Sequence, residues 1–179
     1  MSRRIITLGT WDGKPIEWIV LKEEDFGTLI VSIYTLLSQP FNSASGQNTW
    51  NKSTIRKYLN STFFDIAFND LEKKHIINVW LDDVKSKDSV FLLNVAETKI
   101  LSENDRKFGN GNCGVSCSFS RCHECYKKNI EGYSTCWLLR APTGDNNVSR
   151  CILNGIIYEL DVKKVQSHGI RPAMWIREK

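Results

Sequence analysis

Short runs of β-branched, aliphatic and aromatic residues, separated by Gly, Asp, Asn and Pro, set the pattern of apolar and polar positions along this chain. That pattern belongs to strands punctuated by turns. Ile5 to Leu8, Ile16 to Leu21 and Thr28 to Ile33 read as three strands, with turns at Trp11-Asp12-Gly13 and around Asp25 to Gly27. Consecutive in sequence, they predict an opening meander with Trp18 in its core. A polar loop, Gln39 to Thr49, follows. Ser53 then stands where a helix N-cap is expected, with Ile55, Tyr58 and Leu59 at helical spacing behind it. A second short helix is predicted near Thr62 to Phe68 and a further helical turn near Asp70 to Lys74. His75 to Leu81 reads as a strand. Phe91-Leu92-Leu93 reads as a buried strand ending at Asn94, the cap of a short helix through Leu101.

The C-terminal part organises the rest. Cys136 to Pro142 and Gly169 to Ile176 are apolar, aromatic-bearing runs, each carrying one arginine, Arg140 or Arg171. Between them, Arg150 to Leu160 holds Asn154-Gly155 flanked by β-branched and aromatic residues, the strongest short-range signal for a two-residue hairpin. The reading is strand, polar loop, hairpin, polar loop, strand, with the last strand pairing back near the N-terminal ones. Trp137, Leu139, Ile152, Ile157, Met174 and Trp175 are expected to share a core with Trp18 and Phe91. An unpaired guanidinium within an apolar strand is costly, so Arg140 and Arg171 are expected to be held structurally, with Asp161 and Glu159 as candidate partners. Arg56 is read as a clamp from helix to sheet through its forked donors.

A chain of 179 residues that is 41% hydrophobic and 25% charged has the balance of one soluble globular domain spanning 1–179, and its strands with short helices make it α+β. Lys plus Arg number 24 against 20 Asp plus Glu, a net charge of +4. The basic residues are scattered in pairs such as Lys73-Lys74 and Lys163-Lys164, and not gathered into the stripe a nucleic acid requires. No nucleic-acid partner is therefore expected. Neither a signal peptide nor an apolar stretch of membrane-spanning length is visible, so no membrane partner and a cytoplasmic location are expected, with a virion or non-classical export left open.

An irregular insertion of about 104–135 carries Cys113, Cys117, Cys122 and Cys125, spaced C-x3-C-x4-C-x2-C, with His123 inside the last pair. A loop of that length is uncommon unless something ties it down, and a structural zinc ion on these thiolates would do so. The spacing leaves little chain for a second zinc knuckle. Free thiols, zinc and disulfides all remain open. His75, His123 and His168 are far apart in sequence and make no recognisable triad or metal pair; His168, before Gly169 at a turn, is read as exposed. No Gly-rich phosphate loop or H-E-x-x-H pattern is present, and the expectation is that the protein is not an enzyme.

Several blocks are similar to a known pattern. Trp137-Leu138-Leu139-Arg140-Ala141-Pro142 with Gly169-Ile170-Arg171-Pro172-Ala173 resembles the W-L-R-S-P … G-V-R-P-A signature of an uncharacterised bacterial domain family. Trp50 to Asn60 with Phe63 resembles its W-x-x-S-x-L-R-x-W-L-N-x-x-F segment, and Ser89 to Leu93 with Glu97 its D-x-x-F-L-L-S-x-x-E segment. The resemblance implies a C-type-lectin-like fold: a twisted antiparallel sheet with short flanking helices and long polar loops, related to formylglycine-generating enzymes. Those enzymes hold copper on a cysteine pair, and Cys136 with Cys151 sits in the corresponding half of this chain, but their flanking motifs are missing here.

The expected role is a non-catalytic module binding a protein or glycan ligand through its C-terminal loops. The site residues are Thr143, Asp145, Asn146, Asn147, Ser149, Arg150 and Tyr158, beside the Lys163 to His168 connection. Turn formers there offer amide donors, amide acceptors and a carboxylate, and Tyr158 a rigid amphipathic surface. Asp145 with its Asn neighbours supplies oxygen ligands of the calcium type, though too few carboxylates lie nearby. The Asn-rich segment before the closing G-I-R-P-A also resembles retroelement-diversified variable proteins. The alternatives are a structural subunit of a phage or virion assembly and, third, a metal-dependent oxidase.

Overall fold

The computed structural model describes residues 4–43, 49–108, 137–140, 148–153, 156–161 and 167–177, and at 107, 108, 148–153, 158–161 and 167 the backbone alone. The opening meander forms as its pattern predicts, from Ile5–Trp11 (β1), Lys14–Glu24 (β2) and Gly27–Ser32 (β3). Asp12 and Gly13 both take positive φ, 50° and 72°, the backbone of a tight turn whose twist matches that of the flanking strands. β1 shifts register between Thr7 and Thr10, and Gly9 within that irregularity has φ 74°. A Cβ at Gly9 would lie 2.6 Å from the Ala67 carbonyl oxygen, so only glycine fits between strand and helix.

Leu37–Pro40 (β4) precedes a short 3-10 turn, Trp50–Lys52, and then the helical segment. Ser53 caps that segment: its Oγ accepts from the Arg56 N–H at 3.2 Å and donates to the Trp50 carbonyl at 2.8 Å. Thr54–Tyr58 (α1) continues through a π-helical stretch, Leu59–Phe63, into Phe64–Ala67 (α2). The widened turn coincides with Asn60, whose amide N–H groups donate to the Arg56 and Val90 carbonyls. Asp70–Lys73 (α3) starts with a reciprocal capping box between Asn69 and Glu72. Glu72 also accepts the Gly9 N–H at 3.0 Å, tying that helix to the irregularity in β1.

The strand expected over His75 to Leu81 divides into Ile76–Ile77 (β5) and Val79–Leu81 (β6), which serve different sheets. β6 forms a separate hairpin with Ser86–Asp88 (β7). Phe91-Leu92-Leu93 is fully buried as expected but among the described residues makes only a single bridge, Phe91 with Ala173, so burial more than pairing accounts for its apolar run. Asn94 caps Val95–Thr98 (α4) in a second capping box, with Glu97. The insertion expected to be irregular from 104 begins in a helix, Glu103–Phe108 (α5), because the Ser102 hydroxyl accepts the Asp105 N–H.

Trp137–Leu138 (β8), Val148–Leu153 (β9), Ile156–Asp161 (β10), Ser167–Ile170 (β11) and Ala173–Ile176 (β12) complete the chain. β9 and β10 pair with Leu153 opposite Ile156, the register of the expected two-residue hairpin. Among the described residues these strands form two five-stranded sheets, in the orders β1-β2-β3-β12-β5 and β10-β9-β8-β11-β4. All neighbours run antiparallel except β8 and β11. The closing run pairs back to the N-terminal strands in both sheets: β11 with β4, then β12 with β3. The change of sheet falls at Arg171-Pro172, where proline has no N–H to give to a ladder. Hydrogen bonds from Ser32 N–H to the Pro172 carbonyl and from Leu36 N–H to the Ile170 carbonyl carry the pairing across that corner, so the two sheets curl into one another.

One core fills the space between sheets and helices. Trp18, Phe91, Trp137, Leu139 and Met174 are buried in it as expected, and Trp175 packs against it half-buried. Ile157 departs from expectation at 36% exposed, because β10 is the outermost strand of its sheet among the described residues. The side chain of Ile152 lies outside the description.

Candidate functional site

Three charged networks dominate the interior. Asp88, with no exposed side-chain surface, accepts from the Trp50 indole at 2.8 Å, the Ser86 hydroxyl at 2.6 Å and the Arg56 Nε at 2.6 Å. Arg56 gives its remaining donors to the Asn51 and Lys87 carbonyls, which makes it the expected clamp. Asn60 extends the network by accepting the Ser89 and Val90 N–H groups. Arg140, with a side chain 3% exposed, is held by Asp83 at 3.0 Å, by both oxygens of Glu97 at 2.7 and 3.0 Å and by the Leu92 carbonyl, with Phe91 under its guanidinium. Arg171 donates to the Ser32 carbonyl at 2.5 Å and the Asp105 carbonyl at 2.8 Å, with its guanidinium over Trp137.

Both arginines are structural, as their place in apolar strands implied. Asp83, Glu97 and backbone carbonyls hold them, all from segments that sequence distance hid, while the side chains of the expected partners Asp161 and Glu159 lie outside the description. The residues on which the sequence resemblance rests, Trp50, Ser53, Arg56, Asn60, Glu97, Arg140 and Arg171, are thus bound to one another and to backbone. They build the scaffold.

His168, expected to be exposed, is buried on β11, where it pairs with Gln39 of β4. Burial lowers its pKa from the ordinary value by penalising the charged imidazolium.

What the networks leave open is a groove lined by Phe26, Val79, Trp80, Leu81, Asp82, Asp83, Asn94, Glu97, Arg140 and Trp175. Trp80 is 56% exposed and Phe26 54% exposed, and Phe26 packs on Trp175 with ring centres 4.5 Å apart. Trp80 stands on the β6–β7 hairpin, whose turn is tied down by Asp83 to Arg140 and Asn94 and whose end is tied down by Asp88. Its indole N–H is oriented by Asp82 at 2.9 Å. A large exposed aromatic on a segment anchored at two points is held ready at low entropic cost. Phe26 also borders a second depression with Glu24, Asp25, Gly27, Thr28 and Arg177. Sequence reading missed Trp80 and Phe26; their signal was two large apolar residues next to acidic turns, Trp80 before Asp82-Asp83 and Phe26 after Glu24-Asp25.

The expected binding residues are described only in part. Thr143, Asp145, Asn146 and Asn147 lie outside the described residues, as do Lys163 to Gln166. Ser149 and Arg150 lie on β9 and Tyr158 on β10, where Tyr158 is opposite Cys151 and Arg150 is opposite Glu159. Cys113, Cys117, Cys122 and Cys125 also lie outside, with Cys136. Among the described residues, no three His, Cys, Asp or Glu side chains are placed to hold a metal ion, and no helix is long and apolar enough to cross a membrane.

A family described as a domain of unknown function (DUF6273) matches residues 26–178. The chain belongs to that family. No curated protein and no solved structure matches it. The DUF6273 match begins at Phe26, so β1 and all of β2 precede it, although β2 pairs with β3 along most of its length.

Proposed function

We propose that the protein is a non-catalytic binding module for a protein or glycan ligand, built on a C-type-lectin-like scaffold. The observation that carries this reading is the exposed aromatic pair of Trp80, on a doubly anchored hairpin beside the Arg140 network, and Phe26, packed on Trp175. Side chains of that size stay in water only at an energetic cost, and fixed ones offer contact area with little left to immobilise. Support for the scaffold comes from the closing strand, which joins the N-terminal meander in one sheet. The segment Thr143 to Asn147 starts three residues in sequence after Arg140, itself a lining residue of the groove, which favours a shared binding surface. Its Asn-rich composition suits a surface that varies while the scaffold stays fixed, the retroelement-diversified case.

The test is two variants, one with Asp145, Asn146 and Asn147 all changed to Ala and one with Trp80→Ala, assayed on glycan arrays and for capture of candidate protein partners. Loss of a wild-type interaction in either folded variant is expected. Retention of every interaction by both would remove the reading. A structural subunit of a phage or virion assembly is the second reading, favoured by β10, an outer strand with Ile156 59% exposed. Ile156→Lys abolishing self-association or assembly while leaving ligand capture intact would select it.

A further inference from the structure

We infer that the groove around Trp80 takes the cationic side chains of a basic segment on a partner protein. This rests on the binding-module reading and names its ligand chemistry.

The argument is one of donors and acceptors. Most side-chain donors of the groove are already committed: Arg140 to Asp83, Glu97 and the Leu92 carbonyl, the Trp80 indole N–H to Asp82, and the Asn94 amide to Asp83, with the Trp175 indole N–H the exception. Beyond that one N–H, what remains available is aromatic face and carboxylate. Each carboxylate has about four acceptor sites, and Asp82 is 85% exposed with only its Oδ1 accepting from Trp80. Sugar hydroxyls both give and accept, and would find acceptors in excess of donors. Ammonium and guanidinium groups only donate, and they also stack on aromatic faces.

Charge points the same way. The groove and the adjoining depression that share Phe26 hold Asp82, Asp83, Glu97, Glu24 and Asp25 against Arg140 and Arg177. Five carboxylates against two guanidiniums give a local balance of −3 on a chain whose net charge is +4. Lys22 and Lys85 approach from the rim, at 2.5 Å from Glu24 and 3.7 Å from Asp82, which brings the wider balance to −1. Both pairs are exposed, and such pairs are weak enough for an incoming cation to displace. Two adjoining depressions with one aromatic wall suit an extended segment bearing more than one basic side chain.

The experiment follows the Trp80 side-chain N–H resonance, assigned by its disappearance in Trp80→Ala, in full-length protein. The probe is an acetylated and amidated Gly-Arg-Gly-Arg-Gly peptide, set against the same peptide with citrulline, which is isosteric and neutral. The arginine peptide is expected to shift the resonance and to bind about fivefold or more tightly than the citrulline peptide. Binding should weaken as ionic strength rises. Asp82→Asn combined with Asp25→Asn should lose the preference for arginine while keeping the fold, since both carboxylates are exposed. Equal response to citrulline, or a response to neutral glycans alone, overturns the inference and leaves the binding module standing. Spermidine binding as tightly as the peptide overturns the choice of a partner segment. If neither peptides nor glycans move the resonance and the loop variant also keeps every interaction, the inference and the broader reading fall together.

Discussion

Asp88 is a carboxylate out of reach of solvent, and three donors from three different stretches of chain make that position tolerable. Removing its charge leaves Arg56 without its counter-ion and weakens two further bonds. Asp88→Asn is therefore expected to cost about 2–4 kcal/mol, read as a lower urea midpoint at unchanged slope. Trp137 has no exposed surface and lies under the Arg171 guanidinium, so Trp137→Ala should cost about 3–5 kcal/mol. An unchanged midpoint in either variant would refute the packing that surrounds it. His168 gives a prediction with a sign. Its folded pKa is below 6.5, so between that lowered value and 6.5 the unfolded chain binds more protons than the folded one. Stability is full above about pH 6.5, declines as pH falls through the window below it, and levels off once the folded imidazole is protonated as well. His168→Gln should lose this part of the pH dependence, measured as the shift in thermal midpoint between neutral and mildly acidic buffer.

At the scale of elements, the β6–β7 hairpin is the informative piece. Isolated two-stranded hairpins are marginal in water, and this one holds its shape because Asp83 and Asp88 bind it to Arg140 and Arg56. Arg140→Met keeps the apolar stem but leaves Asp83 and Glu97 without their counter-ion. A loss of roughly 3–5 kcal/mol is expected, the usual consequence of breaking a buried pair from one side. Amide exchange should then quicken in Val79–Leu81 and Ser86–Asp88 before it does in β2 and β3, which lie inside a five-stranded sheet. Uniform protection across both regions would mean that the hairpin does not depend on the clamp. The helices are short and rely on their starts: Ser53, Asn69 and Asn94 each accept a backbone N–H from the first turn. Two of the three, Ser53 and Asn94, were legible in sequence from the residue type and the apolar spacing behind it.

Over the whole molecule, the two curled sheets meet where the closing run changes partner at Arg171-Pro172, and long-range pairing of the chain's end with its beginning completes the core. Local chemistry was enough to determine the meander, the Asp12-Gly13 turn, the β9–β10 register and the caps, because each depends on backbone preference within a few residues. The same local logic showed that Arg140 and Arg171 had to be bound, since a guanidinium among apolar strand residues has no other stable arrangement. Which groups bind them was decided only in three dimensions: Asp83 and Glu97 lie 57 and 43 residues from Arg140, and the Ser32 carbonyl lies 139 residues from Arg171. Tertiary structure likewise buried His168, left Ile157 at a sheet edge, and split one predicted strand between two sheets. It also exposed Trp80 and Phe26 beside their carboxylates, because whether an aromatic residue is covered depends on the elements packed over it and not on its own neighbours in sequence.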